Sequence, residues 1–254
     1  MYMHRRSFTK PRNLHVKVWR YMDFTKFVSL LDSRCLHFTR TDKFDDPFEG
    51  SWPRTNVELR QKLPVDIPQE KQAGYIQSTS TIGPLSERYR RFVFLNCWHI
   101  NEYESAAMWT LYLKNDVGVA VQSTYSRLRE AFTGRDAVYL GPVRYIDYNR
   151  DIIDMPYGYD TLRAYMHKRK SFEHEREIRA VVTKEERVDG EIEWGSNVLG
   201  GGLKQPVNVG ILIESVHVAP TAPDWFLDLV KSIVAKYGYN FTVYQSELNE
   251  GPIF

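Results

Sequence analysis

The sequence predicts an α+β protein: a mixed, largely antiparallel central sheet with flanking helices and a C-terminal strand-helix-strand unit. Three observations carry that reading. Short apolar runs of strand length recur along the chain, as at Phe92–Trp98 and Val117–Gln122. Short helical patterns stand between them, such as Phe24, Phe27, Val28 and Leu31 behind a capping Asp23. The closing stretch from Val207 to Tyr244 reads strand, helix, strand at the spacing of a crossover unit.

In chain order, residues 1–12 read as a loose basic arm. Leu14, Val16 and Val18 then fall on one face of a first strand, with His15, Lys17, Trp19 and Tyr21 on the other. After the Asp23-capped helix, Cys35–Phe38 is a second strand. Asp42–Gly50 is an acid-rich turn punctuated by Pro47 and Gly50. Residues 54–90 are polar, weakly periodic and interrupted by Pro64, Pro68 and Pro84, and read as an inserted helical or lid-like segment. Beyond the Phe92–Trp98 strand, Met108, Leu111 and Tyr112 stand at helical spacing. A helix near Thr124–Phe132 follows the next strand, and Ala137–Ile146 is a strand interrupted at Gly141-Pro142. Asp160 opens a helix through Leu162, Tyr165, Met166 and Arg169.

Ser171–Val182 begins charged and ends apolar, as a strand does when it enters a sheet from a wet edge. Val188–Trp194 returns as a hairpin around Asp189-Gly190. Gly200–Gly202 is a loop without the ending of a phosphate-cradling motif. Val207–Val218 supplies one or two strands, and Thr221 with Asp224 makes a capping-box-like start. Trp225, Phe226, Leu229, Val230, Ile233 and Val234 form the apolar face of the last helix, which Gly238 ends.

A chain of 254 residues can fill one large core or two small ones, and the absence of a repeat or linker reads as a single domain. A formal charge of +2 gives no general mandate for nucleic acid or anionic membrane. Local clusters at Arg88–Arg91 and His167–Lys170 remain possible phosphate contacts, and solvated faces by default. No apolar run approaches the roughly 20 residues of a spanning helix. The two cysteines, Cys35 and Cys97, lie outside any metal or redox spacing and read as reduced and buried, as in a cytoplasmic protein. The 16 tyrosines, 13 phenylalanines and 6 tryptophans fit a ring-stiffened core or a pocket that stacks a flat ligand.

The stretch with most chemistry is Ser171–Val182. As a strand it would put Glu175, Glu177 and Arg179 on one face and Ile178, Ala180 and Val182 on the other. Two carboxylates and a guanidinium in a row are costly to half-bury unless they pair or hold a ligand. They form either a solvated ion-pair ladder or the floor of a polar site. The Asp-Asp-Pro-Phe-Glu turn (45–49) would face the same cleft or cap its own backbone.

Four pieces in this order resemble a widespread bacterial domain-of-unknown-function family: Trp19-Arg-Tyr21, Phe44-Asp-Asp-Pro-Phe-Glu49, Met108-Trp-Thr-Leu-Tyr112 with Gly118-Val-Ala-Val121, and Lys170–Arg179 with its Glu-x-Glu-x-Arg ending. The chain departs from that pattern with Asp45 in place of an Asn and Cys97-Trp-His99 in place of a Cys-Phe-Ser-like run. More faintly the layout resembles the ADP-ribosyltransferase superfamily, with candidates at Arg20, Ser78-Thr-Ser80 and Glu175-x-Glu177. This second resemblance implies an NAD-consuming enzyme, by transfer or glycohydrolysis, of the kind found in bacterial conflict or phage defence. Its substrate would be NAD or a similar nucleotide, with an unidentified macromolecular acceptor. Glu177 and Glu175 would be catalytic, steadying an oxocarbenium-like state. Arg20 would clamp a phosphate, Tyr21, Trp109 or Tyr112 would stack nicotinamide, and Asp46, Glu49 and Arg179 would line the site.

Two other classes compete. Asp45, Asp46, Glu49, Glu175 and Glu177 could be hard oxygen ligands for Mg²⁺ in a nuclease or phosphodiesterase. Alternatively the acids and arginines hold one another in a non-catalytic binding or sensor module. The seven scattered histidines read as surface or satisfied core residues.

Overall fold

Strand β1 (Lys17–Asp23) stops where the Asp23 carboxylate accepts from the Lys26 amide and caps α1 (Phe24–Ser33). Left-handed Arg34 ends that helix and starts β2 (Cys35–Arg40). The computed structural model describes residues 1–64, 66–113, 117–155, 160–185, 187–194 and 200–252. Next come α2 (Arg54–Gln61), α3 (Gln69–Tyr89), β3 (Val93–Ile100), α4 (Ala106–Tyr112), β4 (Gly118–Thr124) and α5 (Tyr125–Ala131). They are followed by β5 (Tyr139–Pro142), β6 (Arg144–Ile146), β7 (His167–Arg169), β8 (Glu177–Thr183), β9 (Arg187–Val188), β10 (Glu191–Ile192) and β11 (Gly202–Pro206). The chain closes with α6 (Val209–Leu212), β12 (Ser215–Val218), α7 (Asp224–Lys236) and β13 (Thr242–Gln245).

The architecture is α+β, as the sequence predicts. The main sheet runs β11-β2-β3-β1-β4-β12-β13, with β8 on the other edge of β3 and β5 beyond it. Its ladders are antiparallel except β12–β13, which are parallel across the α7 crossover. Alternation then sorts the side chains. Ile178, Ala180 and Val182 join the larger core, while Val181 packs with Val93, Leu95, Leu162, Tyr165 and Met166 on the opposite face.

The sheet forks at β3. Leu95 pairs with Val181 on one edge and Thr39 on the other, and His99 pairs with Glu177 and Trp19 in the same way. Strands β2 and β1 therefore share one edge of β3 and diverge, leaving Asn96–Trp98 without a strand partner there. Side chains fill the gap: Arg20 Nη1 donates to the Cys97 carbonyl at 2.5 Å, and Asn96 Nδ2 to the His37 carbonyl at 2.8 Å.

Several expectations are corrected. The basic arm is not loose: Tyr2 bridges to Val138, Phe8 is buried, and Arg5 binds Asp160 through two hydrogen bonds of 2.7 and 2.9 Å. The 54–90 segment is helical, but Pro84 sits inside α3 and does not end it. No side chain of helix α3 is fully buried, and Ser78 and Ser80 are exposed on it and Thr79 half-buried, with hydroxyls bonded to the helix's own carbonyls, so that motif is on no sheet strand. Asp160 opens a 3₁₀ turn that gives way to β7, because Lys168 and its neighbours extend to pair with β6. Residues 207–218 hold helix α6 before β12, since Asn208 caps the Ile211 amide. Helix α7 begins at Asp224 behind Pro223, which supplies no side-chain cap of its own. The Asp189-Gly190 hairpin turn stands as expected, both residues having positive φ.

Gly50 fixes the acid-rich turn against the sheet. Its φ is +72°, and a Cβ there would lie 2.1 Å from Cε1 of the buried Tyr165 ring. Gly50→Ala combines left-handed strain with an overpacked ring and should lower unfolding free energy by about 2–4 kcal/mol. Urea denaturation is the check; a loss below about 0.5 kcal/mol would contradict this packing.

Candidate functional site

The odd-numbered residues of β3 and β8 share one face. At one end they are apolar, Val93, Leu95 and Val181; at the other they are Cys97, His99, Arg179 and Glu177. Arg179, directly opposite Cys97, has 0% exposure. A guanidinium so placed must find acceptors for its donors. Its Nε donates to Glu177 Oε2 at 2.6 Å, its Nη2 to Glu49 Oε2 at 2.9 Å, and its Nη1 to Glu49 Oε1 and to the Tyr165 carbonyl, the latter at 2.6 Å. The Asp-Asp-Pro-Phe-Glu turn and the acidic strand do meet, through an ion pair.

Glu175 is not on that strand. Lys170–Glu175 is a 3₁₀ turn, and Arg176 (φ 41°) takes a left-handed conformation before β8 begins at Glu177. The Arg176 kink replaces plain alternation with convergence. Lys168 Nζ, on β7, donates to Glu175 Oε2 at 2.6 Å and to Glu177 Oε1 at 2.7 Å. His99 Nδ1 donates to the Glu175 carbonyl at 2.6 Å, and the Glu177 amide to the Tyr145 hydroxyl at 2.7 Å.

Five ionisable groups thus alternate in sign: Glu49, Arg179, Glu177, Lys168, Glu175. With the last carboxyl protonated, the two acids and two bases balance. For Glu177, burial opposes ionisation, but the Arg179 guanidinium, the Glu175 hydrogen bond and Lys168 outweigh it and hold the carboxyl well below the usual range. For Glu175, burial first, then the hydrogen bond and the charge of Glu177, push the carboxyl from 4.5 up to about 7 against the pull of Lys168. Its side chain keeps 12% exposure, against 5% for Glu177. A carboxyl at the rim of a fixed charge array, half-protonated near neutrality, can exchange a proton with a bound molecule.

The remaining candidates fall into two groups. Tyr112 stands on α4 with half its surface exposed, and burial of its hydroxyl together with the field of Glu175 and Glu177 raises its pKa. Arg20, in the sheet fork, is depressed by burial and lies in the field of the same Tyr112 and Cys97. Among the described residues its hydrogen bond is to the Cys97 carbonyl and it has no carboxylate partner. Tyr112 is the link between them: Arg20 lies in its field, and it lies in the field of Glu175 and Glu177. Tyr21 and Trp109 are instead buried against each other, ring centroids 4.9 Å apart, with Tyr21 Oη accepting from the Ser105 amide and Trp109 Nε1 donating to Glu104. They are core, and neither ring is open to stacking.

Asp46 is buried, with Oδ1 bound to Arg169 Nη2 at 2.9 Å and to the Phe48 amide. Cys35 and Cys97 are free thiols, partly exposed rather than fully buried, and burial pushes the Cys97 thiol up, away from a reactive thiolate. Among the described residues no three His, Cys, Asp or Glu side chains gather as a metal site. Glu49, Glu177 and Asp46 are engaged by arginine and lysine, so this donor set does not fit Mg²⁺.

Sequence reasoning missed Lys168, read there as part of a solvated basic cluster. The available signal was arithmetic: three acids converging on Arg179 alone require a second cation.

No family model and no curated protein matches the chain. Two solved structures of DarT from Thermus sp. 2.9 are similar to it at 10% identity. The complex with NAD⁺ gives a TM-score of 0.40 over 96% of this chain and 100% of that one. The complex with ADP-ribosylated ssDNA gives 0.39 over 94% and 96%. Among the described residues no helix is long and apolar enough to cross a membrane.

The raised Glu175 carboxyl has a stability consequence. Between the unfolded value of 4.5 and about 7 the folded chain binds the extra proton, so this contribution is complete at low pH and disappears as pH rises through 7. Urea unfolding at pH 5.5 and 8 should therefore show Glu175→Gln removing part of the alkaline loss seen in the native sequence. An identical pH difference in both proteins would contradict the assignment.

Proposed function

We propose that the chain is an ADP-ribosyltransferase-like, NAD-consuming enzyme in which Glu175 exchanges the proton and Glu177 is its fixed electrostatic support. The observation that carries this reading is the Glu175 carboxyl, poised near neutrality close to a half-exposed Tyr112 ring, in whose field also lies Arg20, an arginine with no acid partner among the described residues.

Each group has a task in such a reaction. Arg20 offers guanidinium donors to a diphosphate. Tyr112 presents a ring face to nicotinamide. The bond between C1′ of the ribose and the nicotinamide nitrogen breaks, and its electron pair leaves with nicotinamide. Positive charge grows on the ribose, and the nearby carboxylates, held still by Lys168, stabilise it without reorganising. Water or an acceptor group then attacks C1′ and gives its proton to ionised Glu175. This assigns the proton-exchanging role to Glu175, because both Glu177 oxygens are already engaged. The acceptor, and any place in phage defence, belong to the same proposal.

A second reading rests on a specific observation. Glu49, Arg179 and Glu177 are satisfied within the fold by one another, Lys168 and the Tyr165 carbonyl, as in a binding module whose ions only fix its shape.

Nicotinamide release from NAD separates the two. The enzyme reading expects turnover that rises with pH through about 7, falls at least 100-fold in Glu175→Gln with an unchanged circular-dichroism spectrum, and shows a raised KM in Arg20→Met. No nicotinamide release, with no NAD binding by calorimetry, would leave the binding-module reading in its place.

A further inference from the structure

Away from the carboxylates, a cavity of about 600 Å³ is lined by Asp42, Glu87, Arg88, Arg90, Arg91 and Trp194. It forms where α3 ends and its 3₁₀ continuation, Arg90–Phe92, turns into β3. Trp194, just beyond β10, closes one wall and is held edge-on to Phe92 at 5.5 Å between centroids. Of the acids, Asp42 is already bound to Arg40 through hydrogen bonds of 2.6 and 3.0 Å. Glu87 is the remaining counter-charge to three guanidinium groups. Arg88 and Arg91 have no partner among the described residues, and the Arg90 Nε is buried without a hydrogen bond. Helix dipole attraction explains one arginine in the last turn of α3. It does not explain three of them around a ligand-sized cavity with an indole in its wall.

We propose that this cavity binds a nucleotide unit, its phosphate held by Arg88, Arg90 and Arg91 and its base stacked on Trp194. The chemistry is that of cationic grooves with aromatic platforms, in which charge holds the backbone and the ring accepts any base. The unit is either a free nucleotide or part of a single strand. The site is separate from the Glu175 neighbourhood, and its test reads binding without turnover.

Fluorescence anisotropy of a labelled oligothymidylate of about twelve nucleotides, at low salt, measures it. Arg88→Glu with Arg91→Glu should weaken binding at least tenfold and flatten its salt dependence. Trp194→Ala should weaken it about tenfold and Trp194→Phe much less, with circular dichroism unchanged in each. Displacement by ATP would assign the site to free nucleotides, and displacement by unlabelled oligonucleotide alone would assign it to single strands. The proposal is overturned if no oligonucleotide or ATP binds, if the double variant binds as the native sequence does, or if Trp194→Ala has no effect and heparin competes as well as DNA.

Discussion

The fold depends on how Arg179 is neutralised. A guanidinium with no exposure is stable only when its donors are satisfied and its charge is balanced, and here two glutamates and a backbone carbonyl do both. Removing one partner from such a pair costs about 3–5 kcal/mol, because the other charge is left stranded. Arg179 thereby ties three distant stretches together: the acid-rich turn through Glu49, the 3₁₀ turn before β7 through Tyr165, and β8 through Glu177. Gly50 is part of the same constraint, since its missing side chain admits the Tyr165 ring beside Glu49.

Neutralising Arg179 moves the imbalance outward. Glu177 is shared between Arg179 and Lys168, and Lys168 between Glu177 and Glu175, so the surplus carboxyl comes to rest at the rim, where water reaches it. The fork in the sheet sets what stands next to it. Because β1 and β2 part at the middle of β3, a carbonyl that would otherwise serve a ladder is taken by Arg20, which among the described residues has no carboxylate partner and lies in the field of Tyr112. Structural necessity and the proposed site therefore draw on the same residues.

Much of this was legible in the residues. Alternation placed Ile178, Ala180 and Val182 in the core and Glu177 with Arg179 on the other face; Asp23 and Asp189-Gly190 marked their cap and turn. Misreadings share a cause, tertiary context overriding local pattern. Ser171–Val182 scans as one strand because a left-handed arginine leaves no signature in sequence, so Glu175 is displaced from the sheet yet still reaches Lys168. Lys168 reads as solvated because its burial follows from acids seven and nine residues away. Tyr21 and Trp109 look like stacking platforms until their mutual contact closes them off. The polar 54–90 segment becomes helix without fully burying a side chain of α3, and periodicity alone does not anticipate that.

The central claim is that this charge array holds Glu175, and not Glu177, protonated near neutrality. Carbon-detected NMR of the chain labelled at its glutamate carboxyl carbons, followed from pH 4 to 9 with Glu175→Gln and Glu177→Gln for assignment, measures that directly. The account requires a Glu175 midpoint of about 7 and a Glu177 resonance that stays ionised across the range. A Glu175 midpoint at the ordinary 4.5 would contradict it.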